Sequence, residues 1–149
     1  MEWKVYLAGE IHSSWRQEIV NLVNDEKLPM RFSEPVTDHS ESDDCGAKAL
    51  GEEENRFWHD HKGAKINAIR SRKGLQEADI VVVRFGDRYR QWNAAFDAGY
   101  AIALGKSLIV MHHSEFQHAL KEVDASALAV VENNAQLLNI FRYLTIGKL

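Results

Sequence analysis

One carboxylate interrupts an otherwise apolar helix-forming stretch, Asn93-Ala94-Ala95-Phe96-Asp97-Ala98-Gly99-Tyr100-Ala101-Ile102-Ala103-Leu104. At about 100° per residue Phe96, Tyr100, Ala103 and Leu104 share one apolar arc, while Ala95, Ala98, Gly99 and Ile102 cover most of the remainder. The helix is therefore expected to be packed on nearly all sides. Asp97 then has two readings. It is an ordinary first-turn acid, favoured by free N–H groups and the helix dipole by roughly 0.3–1 kcal/mol, or a partly desolvated carboxylate at the mouth of a crevice, the setting in which such groups are tuned for chemistry.

A second group of residues suits anion capture. Arg84, Arg88 and Arg90, with Lys62, Lys65, Arg70, Arg72 and Lys73 upstream, offer bidentate or point-charge donors to a phosphate. The competing reading is charge pairing with the acidic stretch before them: from Glu34 to His61 nine acids face only Lys48 and Arg56. His59-Asp60-His61 with Asp43, Asp44 and Cys45 lacks metal-ligand spacing, so no metal is expected. Trp92 and Trp58 are either stacking surfaces or buried packing. Neither GxGxxG, GxxxxGK nor a nucleophilic-serine elbow occurs, which argues against nicotinamide and P-loop chemistry and leaves no cofactor indicated. A net charge of −4 and the acidic arm disfavour a nucleic-acid polymer or anionic membrane as partner.

The elements that must position these residues alternate between strand and helix. Ile80–Val83 is a continuous β-branched run, as a strand buried on both faces requires. Asn93 is expected to cap the helix that follows and Gly105 to end it. Lys4–Ala8 is a strand ending at Gly9. Ser14-Trp15-Arg16-Gln17 has a capping-box pattern, with Trp15, Ile19, Leu22 and Val23 at helical spacing. Met30–Phe32 is a weaker strand, Ala64–Glu77 a helix with Ile66, Ile69 and Leu75 inward and a weak point at Gly74. Leu108–Met111 and Ala127–Val131 are two more strands. A short helix is capped around Ser114, and Leu137, Phe141 and Leu144 mark a C-terminal helix. Residues 33–63 show little periodicity and are expected to form a lid or an interface arm. The whole predicts an α/β flavodoxin-like three-layer fold, with a five-stranded parallel sheet in the order 2-1-3-4-5, whose ligand crevice lies beyond the first and third strands. Gly9–Ser13 and Arg84–Asn93 flank that crevice, with Tyr6 and Asp97 beside it.

Tyr6-Leu7-Ala8-Gly9, Ala78-Asp79 and Phe96-Asp97-Ala98-Gly99-Tyr100-Ala101 followed by Gly105-Lys106 resemble the nucleoside 2-deoxyribosyltransferase superfamily. Trp92-Asn93-Ala94-Ala95-Phe96-Asp97-Ala98-Gly99-Tyr100 and Asp43-Asp44-Cys45-Gly46 resemble its YtoQ-type subgroup. The resemblance implies a usually oligomeric enzyme that cleaves N-glycosidic bonds of 2-deoxynucleosides or their monophosphates. Asp97 stands where the family carries its nucleophilic glutamate, and Tyr6 where a tyrosine orients it. The sequence departs from the family by an aspartate one methylene shorter, by Asn93-Ala94 in place of Gly-Thr, and by Gln91, Trp92, Arg72 and Lys73 near positions usually acidic, so no general acid is identified. Substrate contacts are expected from Gly9, Glu10, His12, Arg84, Arg88, Trp92 and Asn93. A non-catalytic nucleotide or anionic-sugar binder on the same scaffold is the alternative.

The 149 residues, 45% of them hydrophobic, fit one domain carrying a long acidic insertion at about 33–63. One cysteine, Cys45, no signal peptide and no membrane-length apolar run predict a cytoplasmic protein. The apolar helix around Asp97 predicts a homo-oligomer.

Overall fold

The computed structural model describes residues Met1–Leu149. Five parallel strands, β1 (Trp3–Gly9), β2 (Met30–Ser33), β3 (Ile80–Arg84), β4 (Ser107–Met111) and β5 (Ala129–Val131), lie in the order β2-β1-β3-β4-β5. Six helices connect them and a seventh follows β5: α1 (Trp15–Asp25), α2 (His39–Asp43), α3 (Cys45–Leu50), α4 (Arg56–Glu77), α5 (Trp92–Ala103), α6 (Gln117–Ser126) and, last, α7 (Asn134–Ile146). The expected doubly wound order is thus observed. No helix is long and apolar enough to cross a membrane.

The unbroken apolar run of β3 is explained by the two cores it separates. Ile80 and Val82 enter a cluster with Trp15, Ile19 and Val23 of α1 and Leu137, Leu138 and Phe141 of α7. Val81 and Val83 enter the opposite cluster with Leu75 of α4 and Ala94, Ala98 and Ala101 of α5. Each fully buried side chain of this size contributes roughly 1.5–3 kcal/mol, so a polar residue anywhere in the run would be costly on one face or the other. Tyr6 of β1 belongs to the α4/α5 face, and Leu7 to the α1/α7 face.

Helix starts depart from expectation. Asn93 is not the cap of α5: the helix begins at Trp92, and the preceding Gln91 folds its amide back onto Gly86 and Arg88. Ser14 precedes α1 but does not cap its backbone, because its hydroxyl donates instead to the Glu18 carboxylate. Ser114 caps nothing; a short 3-10 turn, Ser114–Phe116, leads into α6. Gly105 does take the left-handed conformation just past α5, at φ 69°. Leu22 and Leu144 lie at the edges of their helices, more than a third exposed.

The acidic stretch is more ordered than its pattern suggests. Asp38 caps α2, accepting from the Glu41 N–H at 3.0 Å, and Asn55 caps α4, accepting from the Phe57 N–H at 2.9 Å. As a result α4 starts at Arg56 rather than Ala64, and Ile69 points outward at 73% exposure. These helices pack through backbone, which is why no apolar period announces them: a Cβ on Gly63 would lie 2.9 Å from the Asp43 carbonyl oxygen. Cys45 is part of this packing, its thiol donating to the Ser42 carbonyl at 3.2 Å. His112, directly after β4, is buried, its ring 2.7 Å from the His113 carbonyl and 3.0 Å from the Asp124 carboxylate.

Candidate active site

Tyr6 and Asp97 meet between the sheet and its α4/α5 layer. Tyr6 pairs in register with Ser33 and Val81, which sets its side chain on that face. Its ring lies against Gly74, where a Cβ would sit 2.5 Å from Cδ2 and 3.4 Å from Cζ. The glycine that looked like a flaw in α4 is the slot that admits the tyrosine. The phenol is 1% exposed and its hydroxyl has no hydrogen-bond partner within the chain. Burial raises its pKa and Asp97 adds to that, while the Ser71 hydroxyl and the Arg16 and Arg70 charges oppose it. A buried phenol left without a well-formed hydrogen bond costs about 1–3 kcal/mol.

Asp97 sits in the second turn of α5, past the free N–H groups of the first, so the dipole does not govern it. Burial does: it lifts the carboxyl from 3.8 to about 6. The buried face of α5 is Ala94, Ala98 and Ala101, small residues that bring the helix close to the sheet. The expectation of a helix packed all round is corrected, because Phe96 is 66% exposed and Gly99 faces open space. Trp92 and Asn93 face solvent at the helix start. Arg88 is exposed in the loop before it, and Arg90 lies 6.0 Å over the Trp92 ring.

A second group gathers at the carboxyl ends of β1 and β3. Glu10 is 4% exposed; its carboxylate accepts from the His12 N–H and from the Ser13 hydroxyl at 2.5 Å, with the Arg84 Nε 3.9 Å away. Arg84 extends over the Trp15 ring at 5.9 Å, toward the α1 side of the sheet, and so is parted from Asp97. His12 is exposed at the mouth. The sequence thus named two neighbourhoods as one: Tyr6 and Asp97 on one face, Gly9, Glu10, His12 and Arg84 at the strand ends, with Arg88, Trp92 and Asn93 at the start of α5.

Arg16 is the residue the sequence reading overlooked. It is 5% exposed, and its guanidinium donates to the carbonyls of Leu7 at 3.0 Å, Glu10 at 2.6 Å and Gly9 at 3.0 Å. Burial lowers its pKa and Glu34 and Glu10 counter that. One cation therefore fixes the backbone from which Glu10 and His12 project. Its signal in the sequence was a charge flanked by Trp15 and Ile19 within the buried stripe of α1. Beside it is a cavity of about 350 Å³ lined by Ser13, Arg16, Phe32, Glu34 and Thr37 among others.

The arginines are not neutralised by the acidic arm. Within 4 Å that arm pairs Lys48 with Glu41, Lys62 with Glu53 and Arg16 with Glu34, and leaves Arg70, Arg72, Arg88 and Arg90 without a carboxylate. No three His, Cys, Asp or Glu side chains group as metal ligands; His59 instead lies 3.4 Å from Asp44 and from Asp60.

Comparison with known proteins identifies the family and the fold. The family model described as nucleoside 2-deoxyribosyltransferase YtoQ matches residues 6–145. The uncharacterized protein YtoQ of Bacillus subtilis (strain 168) is 42% identical over 144 residues, covering 97% of each chain. The solved 2-deoxyribosyltransferase of the psychrotolerant bacterium Bacillus psychrosaccharolyticus shares the fold with a TM-score of 0.55 at 18% identity, over 91% of this chain and 90% of that one. The chain belongs to the nucleoside 2-deoxyribosyltransferase YtoQ family.

Proposed function

We propose that the protein cleaves the N-glycosidic bond of 2-deoxynucleosides or their 5′-monophosphates through Asp97. The observation that carries this is the half-buried Asp97 carboxyl, raised to about 6 by desolvation, in the same α4/α5 layer as a buried phenol whose hydroxyl has no partner within the chain. An ionised Asp97 oxygen attacks the anomeric carbon; the carbon–nitrogen bond breaks, its electron pair leaves with the base, and a glycosyl ester remains on the enzyme. Water or a second base then takes the sugar and regenerates the carboxylate. With substrate bound, the Tyr6 hydroxyl, unpartnered in the free chain, turns to donate to the carboxylate oxygen that does not attack, and so fixes the one that does.

The unpaired arginines shape the substrate preference. Arg88 and Arg90, at the start of α5 and free of carboxylate partners, suit a 5′-phosphate better than a neutral hydroxymethyl. Chromatography for free base, run on a panel of 2-deoxynucleosides and their 5′-monophosphates, tests both points. Base release is expected, with monophosphates favoured at least about tenfold in kcat/KM, as one charge-assisted hydrogen bond supplies. Equal turnover of the two sets would remove the phosphate assignment. The binding-module reading is favoured by one observation: α5 holds no carboxyl other than Asp97, and Gln91 or Trp92 at its start stands where the family usually carries an acid. Ligand-induced stabilisation with no base released from any member would establish it.

The unit is a single domain with the acidic stretch as an insertion, and it works as a homo-oligomer in the cytoplasm. Trp92 at 74% and Phe96 at 66% exposure lie on α5 with the bare Gly99 backbone, an apolar surface of the kind that subunits cover. Light scattering at micromolar concentration is expected to give a multiple of 17.0 kDa for the wild type and a monomer for Phe96→Glu. A monomeric wild type overturns the assembly.

A further inference from the structure

The segment Glu34–Thr37 leaves the end of β2 and crosses toward α2 without forming a single backbone–backbone hydrogen bond. It is fastened at its ends instead. At the root, the Glu34 carboxylate lies 3.9 Å from the buried Arg16. At the tip, the His39 ring stacks on His12, centroids 5.2 Å apart and planes inclined by 24°, and His12 in turn meets Tyr89 at 4.8 Å. These three rings come from three separate segments. His12 belongs to the loop after β1, Tyr89 to the loop after β3, and His39 to the first turn of α2. His12 is itself held from below, because its N–H donates to the buried Glu10 carboxylate. Tyr89 is held in a left-handed backbone, φ 63°, which a tyrosine adopts only where its surroundings impose it.

We propose that Glu34–His39 is a strap whose aromatic latch, His39 on His12 and Tyr89, closes the mouth of the crevice between β1 and β3. When the latch parts, the strap swings on its root at Arg16, because no main-chain hydrogen bond holds residues 34–37 and only the partly buried Pro35 and Val36 side chains resist that motion. Opening separates the two loops that flank the switch point and uncovers the cavity beneath Thr37 and Glu34. The gate thus gives the acidic insertion a task at the site, and its assignment to nucleoside entry rests on the function proposed above.

Amide hydrogen exchange on the full chain tests the strap without reference to activity. His39→Ala removes one ring of the latch, and His39→Phe restores a ring. Loss of one aromatic contact is expected to accelerate exchange of the bonded Glu41 and Ser42 amides, which donate to Asp38 at the tip of the strap, by roughly two- to tenfold, with the amides of β3 and β4 unchanged and His39→Phe back at the wild-type rate. Alanine is the better helix former at the start of α2, so helix propensity alone predicts slower exchange, the opposite sign. Unchanged exchange in His39→Ala, acceleration shared equally by the strands, or no recovery in His39→Phe overturns the strap. The same variants are then assayed for base release from 2-deoxynucleoside 5′-monophosphates. If the wild type releases no base, the catalytic reading falls while the exchange result still decides the strap.

Discussion

Replacing Asp97 with asparagine is expected to abolish base release, by about a thousandfold or more in kcat, while making the fold more stable. The two effects have one cause. Burial holds the Asp97 carboxyl at about 6 rather than 3.8, so the folded chain binds a proton more tightly than the unfolded one. Below pH 3.8 both states are protonated and the group has no influence on folding. As pH rises through about 6 the folded carboxyl ionises in a desolvated place. At pH 7.5 this costs the fold about 3 kcal/mol at most, since each pH unit between the two values is worth about 1.4 kcal/mol. Asparagine carries no such charge, so its thermal midpoint is expected several degrees above wild type at pH 7.5 and level with it near pH 4. Activity runs the other way with pH. The ionised form is the nucleophile, so wild-type base release should fall tenfold per unit as pH drops below about 6. Calorimetry and chromatography on the same two preparations check both. A variant that releases base at the wild-type rate would take the nucleophile's role away from Asp97; one that is inactive because it unfolds would show a lowered midpoint instead.

The fold was legible because its strongest signals are those the sheet itself demands. Ile80–Val83 cannot be half-exposed and still be that apolar, and Gly105 marks a real left-handed stop. The register of strand and helix followed from this alternation, and with it the neighbourhood of Tyr6 and Asp97. The failures share a physical origin. Side-chain caps are choices between competing acceptors: Ser14 turned to Glu18, and Gln91 rather than Asn93 organised the start of α5. The helices of the acidic stretch pack through glycine and carbonyl groups, which leave no hydrophobic period to read. Arg16 was passed over because its partners are carbonyl oxygens, and main-chain acceptors have no sequence signature. Asp97 had two readings in the sequence because Asn93 as cap would have put it in the first turn; with α5 starting at Trp92 it lies in the second, and desolvation rather than the helix dipole sets its pKa.

Gly9→Ala is expected to be the most disruptive single methyl in the chain, costing about 3–5 kcal/mol. Gly9 lies opposite Arg84 where β1 and β3 end, at φ 94°. A Cβ there would overlap the Arg84 carbonyl oxygen and lie 2.8 Å from its nitrogen. That carbonyl already accepts from the Glu10 N–H at 2.9 Å, and the Gly9 carbonyl accepts from buried Arg16 at 3.0 Å. To admit the methyl the two central strands must part, and the positive φ alone accounts for roughly 1–2 kcal/mol. Losing a buried backbone hydrogen bond adds about 1–3 kcal/mol. Gly51 separates these contributions, because it has the same φ of 94° with open space around it. Gly51→Ala should therefore show the conformational cost alone. Urea midpoints of the two variants, compared at a common m-value, are expected to differ by at least about 2 kcal/mol after conversion, with Gly9→Ala the less stable. Equal losses would mean that the strands yield to the methyl without breaking contact. Glycine at position 9 would then be held by its backbone angle alone, not by the closeness of β1 to β3 at the mouth of the crevice.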